Sequence, residues 1–242
     1  MKKMLYKLII ALLVIAMVLP GGGFTAAPAG VATPEQAAAD TPAIEWADVT
    51  PDDWFYHYVT WSVAHEIIRG PSEENPYFNP YEYITRGEFI IMLGLLTATE
   101  GRRATVSRIE VSDREIFAWA VYYHLIIGDG YGNLMLDEVL TREQLMVIVD
   151  RFLRHIYWIT FPRPPDIFQR YQDVQLQDFE SLSPWAKDAY VEYKIVTNLL
   201  DYPFICGQFI RPQGGTTRSN ALLVAYRLDP ILPRSGPNIP SQ

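Results

Sequence analysis

The feature that most constrains this chain of 242 residues is a short signature that occurs three times. Each copy is a Thr-Arg pair with a polar residue two places further on, and each heads a stretch with the same apolar spacing. The copies are Thr85-Arg86-Gly87-Glu88, Thr141-Arg142-Glu143-Gln144 and Thr217-Arg218-Ser219-Asn220. Such repetition indicates structural repeats, which bury their apolar faces by packing against each other.

The apolar residues behind each signature lie four, seven, eight and eleven positions after its Thr. They are Phe89, Met92, Leu93 and Leu96 in the first copy, Leu145, Ile148, Val149 and Phe152 in the second, and Ala221, Val224, Ala225 and Leu228 in the third. This spacing is that of one helix face. A Thr with Glu or Gln three residues later forms a capping box. We therefore predict a helix at each signature, with capping boxes at Thr85 and Thr141 and none at Thr217.

The residues before each signature predict helix-loop-helix units. The first unit has four apolar residues at a spacing of four, namely Phe55, Val59, Val63 and Ile67. They predict a helix that starts within Thr50–Asp53 and ends near Gly70. A helix over Trp185–Tyr193 takes this place in the third unit, whereas the second unit begins with a weaker match. The signatures are 56 and 76 residues apart, and such unequal units favour a closed bundle over an open solenoid.

The amino terminus has the composition of a signal peptide. Basic residues precede an apolar run over Leu8–Leu19, and small residues follow Pro20. A retained membrane anchor is the alternative, but a spanning helix needs about 20 apolar residues, and this run has 12. We predict a signal peptide over residues 1–29, cleaved after Ala29 or Ala32, and no retained transmembrane segment.

The predicted organisation of the rest of the chain follows from the repeats. Residues 30–43 are rich in Ala, Pro and Thr without apolar periodicity, which indicates a linker. Three repeats follow over residues 44–100, 105–156 and 168–229, and residues 230–242 form a Pro-rich tail. This division leaves no room for a second domain.

The chain is acidic, with a formal net charge of −8. Removal of residues 1–29 takes away Lys2, Lys3 and Lys7 and no acid, which leaves 17 basic and 28 acidic residues and a net charge of −11. Nucleic-acid binding needs a basic face, so we exclude nucleic acid as a partner. An anionic ligand would depend on a few local cations, because the long-range field opposes its approach.

No pattern of catalytic or metal-binding residues stands out. The four histidines lie at no metal-ligand spacing. The segment from Asp129 to Asn133 is similar to the start of a calcium loop, but Leu134 and Leu140 stand where the loop needs Gly and Glu. The single cysteine, Cys206, lies in an apolar run and is predicted to be a core residue. We therefore predict no enzyme, no metal and no cofactor.

The order of the motifs in the first unit resembles the S-layer homology (SLH) domain. The matching segments are Trp46-Ala47-Asp48-Val49, Trp54, Glu66-Ile67-Ile68-Arg69-Gly70, Phe78-Asn79-Pro80 and Ile84-Thr85-Arg86-Gly87-Glu88. The resemblance implies an all-α fold of three SLH repeats packed as a pseudo-threefold, three-prong bundle. The later units depart from the pattern, with Gln144 and Asn220 in place of Glu88 and Leu136 in place of Pro80. One or two working sites are therefore expected.

The resemblance also implies a function and a set of binding residues. SLH bundles bind anionic, in many cases pyruvylated, secondary cell-wall polysaccharide in the grooves between prongs, where the Arg of the Thr-Arg motif contacts the acidic sugar. This role carries over to Arg86, Arg142 and Arg218. A helix start also favours an anion through its free amides and dipole. The alternative for each Arg is a solvated first-turn position or a salt bridge to a neighbouring acid.

Five further residues complete the candidate polysaccharide site. Trp54 and Trp185 either stack on sugar rings or pack between prongs. Asp48 and Asp173 precede the first helix of their units, where each either holds a neighbouring Arg or caps a local turn, with capping favoured. Glu88 belongs to the capping box of the first unit.

Two functions follow for this exported, cell-surface chain. The first is a non-catalytic module that anchors it to the cell-wall polysaccharide. The alternative is a structural or assembly protein whose bundle binds other envelope proteins.

Overall fold

The computed structural model describes residues 46–97, 112–129, 131–157, 178–190 and 209–232. By its internal contacts the chain divides into Met1–Ala39 and Asp40–Gln242, and every described residue belongs to the second part. The predicted signal peptide, the linker, Asp173, Cys206 and most of the tail lie outside the described residues.

The described residues form helices and turns without a strand, so the all-α prediction is confirmed for them. The α-helices are α1 (Tyr56–Ala64), α2 (Arg86–Thr97), α3 (Asp113–Tyr122), α4 (Arg142–Arg151), α5 (184–190) and α6 (Arg218–Leu228). A π-helix, Phe152–Ile156, follows α4, and Phe179–Ser181 and Asp229–Ile231 form short 3-10 helices. No helix in this part of the chain is long and apolar enough to cross a membrane.

The three segments that lead into the signature helices bond to one another in a closed ring. Ile84 N donates to Thr216 O at 2.9 Å, Thr216 N donates to Leu140 O at 2.8 Å, and Leu140 N donates to Ile84 O at 2.9 Å. All three residues are fully buried. Each segment therefore pairs with both of the others, and we call residues 83–85, 139–141 and 215–217 the central ring.

A close approach inside the central ring requires Gly215. A Cβ at this position would lie 2.6 Å from the ring of Tyr83, which packs against the Gly215 backbone. Tyr83 itself bridges Thr217 across the ring. A larger residue at position 215 would force the Tyr83 segment away from its partner.

Each signature helix begins by donating its first two amides to a loop of another unit. Arg86 N and Gly87 N donate to Glu138 O and Leu136 O, at 2.9 and 2.7 Å. The same arrangement joins Arg142 and Glu143 to Gly214 and Pro212, and Arg218 and Ser219 to Glu82 and Pro80. The third amide of each helix donates to the Thr hydroxyl, at 3.2 to 3.4 Å. The helix starts thereby hold the units together.

The predicted caps and apolar stripes are confirmed. Thr85 N donates to Glu88 at 2.8 Å and Thr141 N donates to Gln144 at 3.3 Å, which completes both capping boxes. Thr217 makes the hydroxyl half of its cap and no full box. All the stripe residues predicted behind the three signatures are exposed by 7% or less. Phe152 is buried as predicted, although it belongs to the π-helix.

The predicted bounds of the first helix in the first unit are wrong at both ends. The segment Thr50–Asp53 is a turn, in which the Asp53 carboxylate accepts from Thr50, and α1 begins at Tyr56. The helix ends at Ala64 because Ile67 N donates to Ser62 O at 2.8 Å and Glu66 N to Val63 O at 3.0 Å. These two hydrogen bonds form a Schellman motif, which we call the Schellman stop because it ends the helix. In the third unit, residues 184–190 of the predicted Trp185–Tyr193 helix are helical and the rest lies outside the described residues.

The helices of one unit pack against those of another. Helix α1 of the first unit lies on α6 of the third, and α2 lies on both α3 and α6. A Cβ on Gly94 would lie 2.7 Å from Ile116 Cγ2, so the absence of a side chain lets α2 and α3 approach. The core is therefore shared between units, as expected of repeats that are each too small to fold alone.

We predict that His124→Gly raises the free energy of unfolding by about 0.5–1 kcal/mol. His124 ends α3 with the same Schellman stop, at a φ of 55°. A side chain disfavours this left-handed conformation and glycine does not. Urea denaturation measures the change. The control His124→Ala loses the imidazole and keeps the strain, so a gain of equal size in both variants would contradict the explanation.

Candidate functional site

The three signature arginines lie between units and donate to backbone carbonyls. Arg86 and Arg142 are buried, with 7% and 9% exposure, and the Arg218 side chain is 25% exposed. Arg86 Nη2 donates to Ile127 O at 2.9 Å, Arg142 Nε to Ile210 O at 2.6 Å, and Arg218 Nε to Phe78 O at 2.9 Å. All three therefore link their helix start to another part of the chain.

The helix starts themselves do not offer free amides to an anion. The sequence-based argument relied on unpaired N–H groups at these positions. In the structure the first three amides of α2, α4 and α6 all donate to protein oxygens. That part of the prediction is wrong, because the loops of neighbouring units already occupy the place of the ligand.

Arg218 is neutralised by an acid of the first unit. Its Nη1 lies 2.9 Å from Glu88 Oε1, and its guanidinium lies 5.4 Å from the centre of the Phe78 ring. Glu88 uses its other oxygen for the capping box with Thr85. The salt-bridge alternative is thus realised here, with Glu88 as the partner, and the pair joins α2 to α6.

Beside Arg142, a buried acid that the sequence analysis missed joins two elements. Glu143 is 2% exposed and accepts from Ser183 N at 3.0 Å, Ser183 Oγ at 2.9 Å and Gln213 Nε2 at 2.7 Å. It thereby caps the residue that precedes α5. The equivalent positions hold Gly87 and Ser219, so no repeated signal marked this residue.

Arg86 has a different environment, with a second arginine close by. Arg151 Nη1 donates to Leu125 O at 3.4 Å, two residues from the Ile127 carbonyl that Arg86 contacts. Burial, and to a smaller extent Arg151, lower the pKa of Arg86. Burial also lowers the pKa of Arg151, and Asp150 opposes this shift. We call Arg86, Arg151 and the carbonyls of 125–127 the Arg86 site.

The Arg86 site carries more positive than negative charge. Asp150, the acid that acts on Arg151, also binds Arg154 Nε at 2.8 Å. Both guanidinium groups stay protonated at neutral pH, since arginine is effectively always charged in proteins. Arg86 Nε is buried and has no hydrogen-bond partner among the described residues. A buried donor without an acceptor is costly, so Arg86 Nε adds to the cost of burying this guanidinium group.

Asp48 acts as a clasp within the first unit. Its two carboxylate oxygens accept from Phe78 N at 2.8 Å and Asn79 N at 2.7 Å, so it caps a loop and does not hold a neighbouring Arg. In the third unit Asp178 does the same with Ile210 N and Arg211 N, at 2.7 and 2.6 Å. The sequence analysis gave this place to Asp173, which lies outside the described residues.

The spacing to the signature is the signal that could have identified Asp178. Asp48 precedes Thr85 by 37 residues, whereas Asp178 and Asp173 precede Thr217 by 39 and 44. Asp178 therefore fits the repeat better than Asp173 does.

Aromatic side chains form a connected strip between α1 and α6. Ring centres lie 5.5 Å apart in Trp54–Phe55, 6.2 Å in Trp54–Tyr58 and 5.2 Å in Tyr58–Tyr226. Trp54 is 48% exposed, and Trp185 on α5 is 53% exposed. Both predicted tryptophans therefore present about half of their surface to solvent, and their role in stacking on sugar rings stays a prediction.

One titratable pair crosses this strip. His57 Nε2 lies 3.1 Å from the Tyr226 hydroxyl, and the two rings meet edge to face at 5.1 Å. Burial, and then Arg227, lower the pKa of His57, while burial raises the pKa of Tyr226. The pair links α1 to α6 with a neutral imidazole.

We predict that Asp48→Ala lowers the free energy of unfolding by about 1–3 kcal/mol, because two loop amides lose a charged acceptor. Urea denaturation tests this. The control Asp52→Ala removes an exposed acid from the adjacent turn and should change stability by less than about 0.5 kcal/mol. Equal losses in both variants would show that the Asp48 clasp contributes nothing.

The His57–Tyr226 pair predicts a pH dependence of stability. Because the folded-state pKa of His57 is lowered, the unfolded chain binds more protons below about pH 6.5, and stability falls as the pH falls. In His57→Gln this decline between pH 7 and 5 should be shallower in thermal or urea unfolding. Tyr226→Phe keeps the burial and should keep the slope. An unchanged slope in His57→Gln would refute the assignment.

Among the described residues, no group of three or more His, Cys, Asp or Glu side chains is placed to hold a metal ion. The site consists of arginines, carbonyls and exposed aromatic rings. Groups of these kinds are suited to binding a ligand.

Comparison with known proteins relates one part of the chain to a family. Residues 47–90 match the family model of the S-layer homology domain. The matched part contains the Asp48 clasp, α1, the first ring segment and the start of α2 with Arg86. No curated protein matches the chain. The second and third repeats stay a prediction. The match indicates that residues 47–90 are similar to a module that anchors proteins to the cell wall or cell surface.

Proposed function

We propose that this chain is an exported, non-catalytic module that anchors itself to the cell wall by binding an anionic, pyruvylated or otherwise acidic, secondary polysaccharide. In this proposal three SLH repeats pack as a three-prong bundle around the central ring. The family match of residues 47–90 and the equivalent hydrogen bonds at the three helix starts support it.

The observation that carries the proposal is the excess positive charge at the Arg86 site. Two guanidinium groups contact one short loop, and the Arg86 Nε atom has no acceptor among the described residues. A sugar carboxylate bound beside the two guanidinium groups would relieve the repulsion between Arg86 and Arg151. Arg binds carboxylates through two parallel hydrogen bonds, which adds specificity as well as affinity.

The acids beside Arg142 and Arg218 favour a single strong binding site for the acidic sugar, at Arg86. Glu88 already neutralises Arg218 at 2.9 Å, and the neighbourhood of Arg142 contains the buried acid Glu143. A second carboxylate brought to either place would meet like charge. We therefore assign the acidic sugar to Arg86 and give Arg142 and Arg218 a role in joining the units.

Exposed aromatic residues extend the proposed surface. Trp54 and Trp185 present flat apolar faces that suit the C–H face of a sugar ring. Weak contacts of this kind add up when one polymer engages several places at once, through effective concentration. Asp48 and Glu88 support this surface by holding the loop and the start of α2.

The first experiment measures retention of the full chain on purified wall sacculi before and after the acidic polymer is removed. The proposal expects retention on intact sacculi and loss of most of it on stripped ones. It also expects retention to fall as salt rises, because the contact is ionic. Equal retention on both preparations would contradict recognition of the acidic polymer.

Variants then test the Arg86 site itself. Arg151→Gln removes one of its charges and should weaken retention by about tenfold or more, the equivalent of one charged hydrogen bond. Arg86→Lys keeps the positive charge but cannot make two parallel hydrogen bonds to a carboxylate, so it should weaken retention as well. The matched control Arg114→Gln removes an exposed arginine from α3 and should bind like the parent chain. Equal retention by Arg151→Gln and Arg114→Gln would place the ligand elsewhere.

An assembly role is the second candidate, and one observation favours it. Apolar side chains of the second unit are exposed, with Ile127 at 56%, Val139 at 43% and Tyr131 at 95%. Exposed apolar groups of this kind suit contact with another envelope protein. Binding to stripped and intact sacculi alike, lost in Ile127→Ser, would support this role over polysaccharide binding.

A further inference from the structure

A pocket of about 270 Å³ lies where α3 ends beside the π-helix. Its walls are Tyr122, Tyr123, His124, Arg154 and His155. Arg154 comes 12 residues after Arg142, which is about 18 Å along a helix. The pocket therefore lies at the opposite end of this helix from Arg142, and it adjoins the Arg86 site, because Leu125 follows His124 and Arg151 lies three residues before Arg154.

The residues that form the pocket in the second unit differ from those at the equivalent place in the first unit. His124 and Glu66 both end their helix at the left-handed position of a Schellman stop, so the two helix ends are equivalent. The first unit has Ala64, His65 and Glu66 where the second has Tyr122, Tyr123 and His124. The anchoring function common to the repeats therefore does not explain the aromatic and imidazole groups found here.

The two tyrosines give the pocket an apolar face with polar edges. Tyr122 is 68% exposed, and its ring meets that of Tyr123 edge to face at 5.0 Å. Burial, and then Tyr122, raise the pKa of Tyr123, so its hydroxyl stays protonated and able to donate. An exposed ring beside hydroxyl and imidazole groups is suited to a flat ligand that carries its own hydroxyls.

The polar groups of the pocket are held in place by the π-helix. His155 Nδ1 donates to Tyr123 O at 2.8 Å, which fixes the orientation of the ring at the pocket wall. Asp150 binds Arg154 at 2.8 Å and balances its charge. A π-helix is rare and is frequently found at functional sites. Here it brings Arg154 and His155 to the pocket wall on consecutive residues.

We propose that this pocket is a second saccharide site, which binds one uncharged pyranose unit with its ring stacked on Tyr122. The ligand is uncharged because the arginine of the pocket is already paired with an acid. The polar groups of His124, His155 and Tyr123 bond the sugar hydroxyls. The choice of a saccharide rests on the proposed wall-binding function, whereas the position and the uncharged character of the ligand rest on the pocket.

The test is a titration of the full chain with methyl N-acetyl-β-glucosaminide, followed by the amide signals in nitrogen–proton NMR spectra. Binding should shift the amides of Tyr122, Tyr123 and His124 and of Arg154 and His155 in a saturable manner. Glycerol, which has hydroxyls without a ring, should leave these signals in place. Shifts at these amides that are equal with glycerol, or absent at the highest sugar concentration, would overturn the proposal.

Two variants separate binding from folding. Tyr122→Ala should weaken sugar binding about threefold to tenfold, the equivalent of one aromatic contact. His124→Gly removes a pocket wall while relieving backbone strain, so it should bind less sugar in a more stable protein. The control Tyr131→Ala loses an exposed tyrosine of the same unit and should bind like the parent chain. Equal affinity in Tyr122→Ala and Tyr131→Ala would refute stacking on Tyr122.

The outcomes distinguish this proposal from the proposed function. Sacculus retention that depends on Arg151, together with sugar shifts absent from the pocket, would overturn the second site alone. Amide shifts of the pocket residues on addition of sugar, without any retention of the chain on sacculi, would overturn wall anchoring and support the second saccharide site.

Discussion

The central ring is the interaction on which the rest of this structure depends. Three short segments, far apart in sequence, exchange backbone hydrogen bonds so that the amide and carbonyl of Ile84, Leu140 and Thr216 are all satisfied in the interior. An unpaired buried amide or carbonyl is costly, so none of the three segments can leave without exposing the other two. Apolar packing is non-directional and lets packed elements slide past each other. The hydrogen bonds of the ring therefore couple the units more firmly than apolar packing alone.

The ring also determines what the helix starts can do. Because each ring segment runs directly into a signature helix, the first amides of that helix meet the next loop along the ring. The side chains of the signature arginines also donate hydrogen bonds to carbonyl groups of neighbouring loops. The Thr-Arg signature predicts an anion site when one helix is considered alone, but in the folded chain it connects two units. Whether such a connection can bind an anionic ligand then depends on whether the charge of its arginine is left unneutralised.

One position shows how the units diverge under the same geometry. The residue after the signature Arg is Gly87, Glu143 or Ser219, and each meets the next loop in its own way. Gly87 lies so close to Leu136 that a Cβ would be 3.0 Å from its carbonyl oxygen. Glu143 extends to Ser183 and Gln213, and Ser219 Oγ donates to Pro80 O at 2.7 Å. The backbone arrangement is shared, while the side-chain chemistry around each arginine is not.

The sequence by itself determined the local features of this protein. The helix starts, the two capping boxes and the buried stripes depend on residues within three or four positions of each other, and all were predictable. The end of α1 was not, because its Schellman stop places Glu66 where a glycine would have signalled it. Tertiary structure alone decided the charge balance at each arginine, since Glu88 meets Arg218 across 130 residues and Arg151 comes beside Arg86 only when the units pack. Periodicity and capping are short-range properties of a chain, whereas burial and electrostatic pairing depend on which distant segments the central ring brings together.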